Sequence, residues 1–228
     1  MIRLAIFDMA GTTVNEDNLV YKAVRTAINE QGFDFTLEQV LAEGAGKEKL
    51  QAIKSVLAMK GIQDDVLAGD IFNRFRVLLE EAYRTKPISG QPYALELFHA
   101  LRDRGVQVVM NTGYDRKTAE SLVEKIGWVK GVDFDGLVTA SDVTTGRPGP
   151  DMILLAMQQQ GITDAQQVLK VGDSIIDIEE GRNAGCRFSI GITTGAHTFD
   201  QLVTADPDFI MRNLQELLPI VEAANVKG

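Results

Sequence analysis

From Pro92 onward, short apolar runs alternate with stretches of helical periodicity, and that rhythm constrains the fold more than any other feature. Val106–Met110, Phe134–Val138, Val168–Val171 and Phe188–Ile190 read as strands. Each run is too short for a helix and is bounded by turn-forming or polar residues. Residues 92–104, the stretch from Lys117, the stretch from Asp151 and the segment around Ile176 and Ile178 read as helices, with helix 212–223 closing the chain. Strands joined through helices run parallel, and parallel strands covered on both faces are apolar throughout. The expected fold is therefore α/β, a doubly wound parallel sheet.

One further strand stands apart at the start. Leu4-Ala5-Ile6-Phe7 ends at Asp8, followed by Met9-Ala10-Gly11-Thr12-Thr13. A carboxylate at the carboxyl end of a parallel strand lies where open α/β sheets bind ligands. Gly11 can turn the backbone tightly and leave N–H groups facing an anion. On its own, such an Asp reads as a turn cap.

Between this strand and Pro92 the pattern is helical. Leu19, Ala23, Ala27 and Ile28 share one face, as do Leu50, Ile53, Val56 and Leu57, and Phe72, Phe75, Leu79 and Tyr83. Gly32, Gly44-Ala45-Gly46 and Gly61 mark breaks between helices. The expected organisation is a core of residues 1–14 and 87–228, interrupted by a helical cap of residues 15–86. Its crossings near 14–16 and 85–91 would act as hinges, and an insertion at the ligand edge of a sheet is placed to serve as a lid.

The net charge of −9 argues against nucleic acid or an anionic membrane as partner. An anionic substrate would then need a divalent metal or a few local cations. Cys186 is the single cysteine, which excludes an internal disulfide and a cysteine zinc cluster. No segment has the apolar length to span a bilayer, and the first strand begins at residue 2 or 3, so no leader is expected and the compartment is the cytoplasm. His99 and His197 have no partner at ligand spacing and read as structural, and Trp128 reads as core.

Asp8 with Thr12, Thr112, Arg147, and Asp173 with Asp177 each fall at the end of a strand or just before a helix. Singly, each has a plain explanation: a loop hydroxyl, a turn residue before Pro148, a helix cap and a first-turn acid. Together and in this order, with Asp8-Met-Ala-Gly-Thr-Thr and Gly172-Asp173-Ser-Ile-Ile-Asp177, they resemble the haloacid dehalogenase superfamily along the whole chain. The resemblance implies a Rossmann-like core and an aspartyl-phosphate formed on Asp8. It implies Mg²⁺ held by Asp8, the Ala10 carbonyl and Asp173, with Asp177 supporting it from one helical turn away. Thr112 and Arg147 would take the phosphoryl oxygens, with Thr12 and Gly113 beside them. Arg147 stands where the superfamily commonly has Lys.

Most phosphatases of the superfamily carry a second Asp two residues after the nucleophile, and here that position is Ala10. Asp-x-Ala-Gly-Thr resembles the phosphonatase branch, as do Thr112-Gly113-Tyr114, Gly146-Arg147-Pro148, Lys170-Val171-Gly172-Asp173 and Glu180-Gly181-Arg182-Asn183-Ala184-Gly185. That branch breaks a carbon–phosphorus bond, and its cap lysine forms an imine that accepts the electrons. Lys49 matches that lysine best, with Lys47 as rival and Tyr114 as a substrate contact. The branch's His three residues on and Met four residues before are Ala52 and Ala45, and Asn18 replaces a frequent Cys. The expected activity is hydrolysis of a small phosphonate such as phosphonoacetaldehyde. The alternatives are a phosphatase for a small phosphate monoester and a non-catalytic phosphate binder. A monomer, or a homodimer paired through the cap, is expected.

Overall fold

The computed structural model describes residues 1–226. In chain order, β1 (Leu4–Asp8) leads into β2 (Val14–Asn15), and after four helices the chain returns through β3 (Ser89–Gly90). The remaining strands are β4 (Gln107–Thr112), β5 (Gly136–Thr139), β6 (Val168–Gly172), β7 (Phe188–Ile192) and β8 (Phe209–Met211). Six of them form a sheet in the order β5-β4-β1-β6-β7-β8, and every neighbouring pair is parallel. β1 is central and buried along its whole length, as its unbroken apolar run demands. Asp8 pairs with Asn111 and Phe7 with Val171, so Asp8, Thr112 and Asp173 emerge at one edge of the sheet.

The helices between β2 and β3 are α1 (Leu19–Asn29), α2 (Leu37–Gly44), α3 (Lys49–Ala58) and α4 (Asp65–Thr85). Thr36 caps α2 with Gln39 in a reciprocal box, and the carboxylates of Glu48 and Asp64 cap α3 and α4. β2 and β3 pair antiparallel, Val14 with Gly90 and Asn15 with Ser89, so the chain leaves and re-enters the sheet layer at adjacent points.

The sheet is flanked by α5 (Ala94–Arg102), α6 (Arg116–Ile126), α7 (Asp151–Gln160), α8 (Ile175–Asn183), α9 (Phe199–Val203) and α10 (Leu217–Val226). Two strands begin or lie outside the sequence reading. β5 starts at Gly136 rather than Phe134, because residues 130–134 form a turn that buries the Phe134 ring. β8 pairs by only three residues after the positive-φ turn at Asp206, too brief for an alternation to register. The closing helix starts at Leu217 rather than 212, because Asn213 caps a single 3₁₀ turn over 214–216.

The loop from Gly44 to Glu48 rests directly on the sheet edge. A Cβ on Gly46 would lie 2.4 Å from Ser174 Oγ and 2.9 Å from Ile176 Cβ, and its φ of +77° is open only to glycine at low cost. A Cβ on Gly113 would lie 3.5 Å from the Lys47 carbonyl oxygen. The loop between α2 and α3 is thus seated at the carboxyl ends of the strands.

Candidate active site

Asp8, Asp173 and Asp177 are all buried, and one ligand atom from each lies within 4.8 Å of the others. Asp8 ends β1, and Asp173 follows the last residue of β6. Asp173 is outside α8, so the two carboxylates do not share a helix face as the spacing suggests. Ser174 caps α8 instead, and its hydroxyl donates to Asp177 Oδ2 at 2.5 Å, turning that carboxylate back toward the strand ends. Asp173 is wedged between backbones: a Cβ on Gly11 would lie 2.2 Å from its Oδ2, and one on Gly195 1.8 Å. The Ala196 N–H donates to the same oxygen at 2.6 Å.

Behind Asp8 lies a buried network of cations. Arg147 Nη1 donates to Asp8 Oδ1 at 2.7 Å and lies 3.0 Å from Asp177 Oδ1. Its Nη2 donates to the Asn111 carbonyl at 2.9 Å and to Asn111 Oδ1 at 2.8 Å. Its Nε lies 3.0 Å from Glu180 Oε2, an ion pair by distance without hydrogen-bond alignment. Lys170, fully buried in the middle of β6, donates to Asn111 Oδ1 at 2.5 Å and lies 3.0 Å from both Asp177 and Glu180. The Arg147 fork is therefore occupied by protein groups and holds the Asp8 carboxylate from behind.

These contacts divide the three acids. Burial raises the pKa of Asp8, and the charge of Asp177 adds to it, against the pull of Arg147 and Lys170. Burial, then the charges of Asp8 and Asp177, push Asp173 well above the carboxylate range. Burial also acts on Asp177, but Arg147, Lys170 and the Ser174 hydroxyl outweigh it and hold that carboxyl low. Asp173 forms no ion pair among the described residues. Three converging oxygen donors, one lacking any cation, are a donor set suited to a hard divalent ion such as Mg²⁺. Next to them the Thr12 hydroxyl is buried without a hydrogen-bond partner, while the Thr112 hydroxyl accepts from the Tyr114 N–H at 3.2 Å.

Lys49 opens α3 and is buried. Its Nζ donates to the Lys47 carbonyl at 2.7 Å and lies over the rings of Tyr21 and Tyr114, 5.1 Å and 5.7 Å from their centroids. No carboxylate is within ion-pair distance of it among the described residues. Burial lowers its pKa, and the field of Asp8, which raises it, does not compensate. Lys47 instead turns its ammonium to Ser55 Oγ at 3.1 Å. Of the two candidate lysines, Lys49 is the buried one and the one on which the charge of Asp8 acts. Gly113 and Tyr114 line, with Lys49, Tyr83, Phe75 and Leu79, a cavity of about 670 Å³ between α4 and α6. Ala10 adjoins the carboxylates on the loop after β1, and Ala45 and Ala52 are buried in the helical layer.

Sequence reasoning did not single out Asn111, Lys170, Glu180, Glu16, Tyr21 or Tyr83 as members of the site. The one local signal was Lys170, a charge inside the apolar run Val168-Leu169-Lys170-Val171. His99 pairs with Asp133 at 2.9 Å, and His197 Nδ1 accepts from the first N–H of α8 at 3.0 Å; neither ring hydrogen-bonds to Asp8, Asp173 or Asp177.

The parallel sheet carries its acidic cluster at the carboxyl edge, and the chain belongs to the haloacid dehalogenase-like hydrolases, whose family model matches residues 2–185. More particularly, it is 33% identical over 207 residues to a phosphonoacetaldehyde hydrolase of Parabacteroides distasonis, covering 84% of this chain and 76% of that one. It is 28% identical over 221 residues to a Dickeya dadantii protein named "Probable phosphatase IndB", covering 96% and 94%. Among solved structures, a hydrolase from Pseudomonas syringae superposes with a TM-score of 0.85 at 21% identity, over 97% of this chain and 98% of that one. A phosphonoacetaldehyde hydrolase-like protein from Oleispira antarctica superposes with a TM-score of 0.82 at 22% identity, over 99% and 93%. No helix among the described residues is long and apolar enough to cross a membrane.

Proposed function

We propose that this hydrolase is Mg²⁺-dependent and cleaves the carbon–phosphorus bond of a small phosphonate aldehyde, phosphonoacetaldehyde being the simplest. The observation that carries the reading is Lys49: a buried amine with no counter-ion among the described residues, lining the cavity with Tyr83 and Tyr114 and lying within the field of Asp8. A lysine that only capped a helix would leave its ammonium in water. Burial favours the neutral amine, which adds to an aldehyde and yields an imine.

The imine nitrogen draws the electron pair of the carbon–phosphorus bond as the bond breaks. The leaving atom is then carbon rather than oxygen, so no acid beside the nucleophile is called for, and Ala10 fits its position. Asp8 attacks phosphorus from the opposite side and becomes an aspartyl-phosphate, which water hydrolyses. Arg147 holds the Asp8 carboxylate in line through Nη1, and the free Thr12 hydroxyl is available to a phosphoryl oxygen. Asp8, Asp173, Asp177 and the Ala10 carbonyl would hold Mg²⁺, whose charge would offset that of the phosphonate oxygens. Helices α1–α4, over residues 15–86, would be the cap that excludes water from the imine.

Inorganic phosphate release from phosphonoacetaldehyde, with Lys49→Ala beside the wild type, tests this. Release that falls to background in the variant supports imine chemistry, and equal release removes Lys49 from it. A second reading, hydrolysis of a small phosphate monoester, is favoured by Ala52, which leaves α3 without a titratable side chain one turn after Lys49. Turnover of a phosphate monoester such as p-nitrophenyl phosphate that Lys49→Ala leaves intact, with no release from phosphonoacetaldehyde, would select that reading.

A further inference from the structure

We propose that Glu16 is the proton store for Lys49, supplying the imine step through the hydroxyls of Tyr83 and Tyr114. The proposal deepens the imine reading above and rests on it.

Glu16 lies between β2 and α1 and is only 2% exposed. Its Oε2 accepts from the Val20 N–H at 2.9 Å and from the Tyr83 hydroxyl at 3.3 Å. The Tyr83 hydroxyl lies 2.8 Å from that of Tyr114. Both tyrosines line the cavity that Lys49 also lines. The chain of hydroxyls thus runs from a sequestered carboxyl to the space where a substrate carbonyl attached to Lys49 would lie. The charged and titratable groups around Glu16 are Lys22 and Tyr21 from α1, Lys49 from α3, Tyr83 from α4 and Tyr114 from the loop after β4. None forms an ion pair with it among the described residues.

Among the described residues, α3 and its cap offer Lys49 no such group. The buried positions that follow on α3 are Ala52, Ile53, Val56 and Leu57, none of which carries a proton. Glu48 adjoins Lys49, but its two oxygens accept from the N–H groups of Leu50 and Gln51 and so cap the helix. Burial raises the pKa of Glu16 to about 7, so near neutral pH it is present in both protonation states.

The step balances within the pocket. The Lys49 amine adds to the aldehyde carbon, forming a C–N bond and giving a carbinolamine after proton transfer from nitrogen to oxygen. The carbinolamine C–O bond then breaks, and the hydroxyl leaves as water with a proton from Tyr114. Tyr114 is reprotonated by Tyr83, and Tyr83 by Glu16. An iminium and a carboxylate replace an amine and a carboxylic acid, so the net charge of the closed pocket is unchanged.

The test traps the imine on Lys49 with borohydride in the presence of phosphonoacetaldehyde and follows its rate from pH 5 to 9. Glu16→Gln keeps an acceptor for Val20 and Tyr83 but holds no proton to give. The expected wild-type rate falls as pH rises through about 7, the value at which Glu16 loses its proton. Glu16→Gln should trap about 10²- to 10⁴-fold more slowly, the usual range for loss of an acid catalyst, and lack that alkaline limb. Tyr83→Phe should lose the limb with Glu16 in place, and Glu16→Asp should restore part of it. Glu16→Gln or Tyr83→Phe trapping at the wild-type rate with the wild-type pH profile would reduce Glu16 to a strap between helices and overturn the proposal. Absence of any Lys49 adduct in the wild type would instead remove the imine reading, and this proposal with it.

Discussion

Glu16→Gln should make the protein more stable, and only above a definite pH. The Glu16 carboxyl is buried, and its pKa moves from 4.5 to about 7. A shift of that size, at about 1.4 kcal/mol per unit, corresponds to roughly 3 kcal/mol. The sign follows from which state binds the proton more tightly. Below 4.5 the carboxyl is protonated in both folded and unfolded chains and contributes nothing. As pH rises from there, the unfolded chain ionises while the folded one resists, so the folded state loses stability until the carboxyl ionises in it too, near 7. Glutamine does not titrate. The stability of Glu16→Gln minus that of the wild type, from denaturant unfolding, should therefore grow by about 2.5 kcal/mol between pH 5 and pH 8. The hydrogen bonds from Val20 and Tyr83 favour the ionised carboxyl and are already contained in that pKa, and what the amide loses relative to the protonated acid displaces both values equally. Asp8 and Asp173 are raised in the same direction, but they are common to both proteins and cancel in the difference. A difference that is flat with pH would refute the reasoning, because it would mean that Glu16 titrates like an exposed glutamate.

Further outcomes follow from the site. Gly195→Ala would put a Cβ 1.8 Å from Asp173 Oδ2 and displace that carboxylate, so Mg²⁺ affinity by calorimetry should fall about 10- to 100-fold with the fold retained by circular dichroism. Lys170→Met leaves Arg147 alone against Asp8, Asp177 and Glu180, all buried; unfolding at neutral pH should show a loss of about 3–5 kcal/mol, and an unchanged midpoint would contradict the network. Asp8→Asn retains a hydrogen-bond acceptor for Arg147 and relieves the repulsion from Asp177, so turnover should vanish while the melting temperature holds or rises.

What the sequence made legible is what local pattern encodes. An apolar run of four ending at Asp8 determines a buried strand and a carboxylate at its end, and the same logic brings Thr112 and Asp173 to one edge. The breaks at Gly32, Gly44-Ala45-Gly46 and Gly61 are the gaps between the four helices. The network behind Asp8 was not legible, because Arg147 and Asp8 are 139 positions apart and Asn111 and Glu180 are 69 apart. Only the sheet order brings them together. Glu16 illustrates the same limit. Glu16 falls in the crossing near 14–16, which the sequence marks only as a hinge, and its burial arises only when α4 returns Tyr83 against it and the core supplies Tyr114. The contrast of Lys47 and Lys49 is likewise tertiary: Lys47 in the loop before α3 turns to Ser55, while Lys49 at the start of the helix lines the cavity.

The central claim is that phosphorus passes from carbon to Asp8 only when Lys49 has first bound the aldehyde. Its direct measurement is acid quench of the enzyme with Mg²⁺ and phosphonoacetaldehyde, followed by mass analysis of the peptide containing Asp8. Wild-type enzyme should carry a phosphoryl group on Asp8, and Lys49→Ala should carry none from the phosphonate while still accepting one from acetyl phosphate. Equal phosphorylation of Asp8 from phosphonoacetaldehyde in the two proteins would contradict the account.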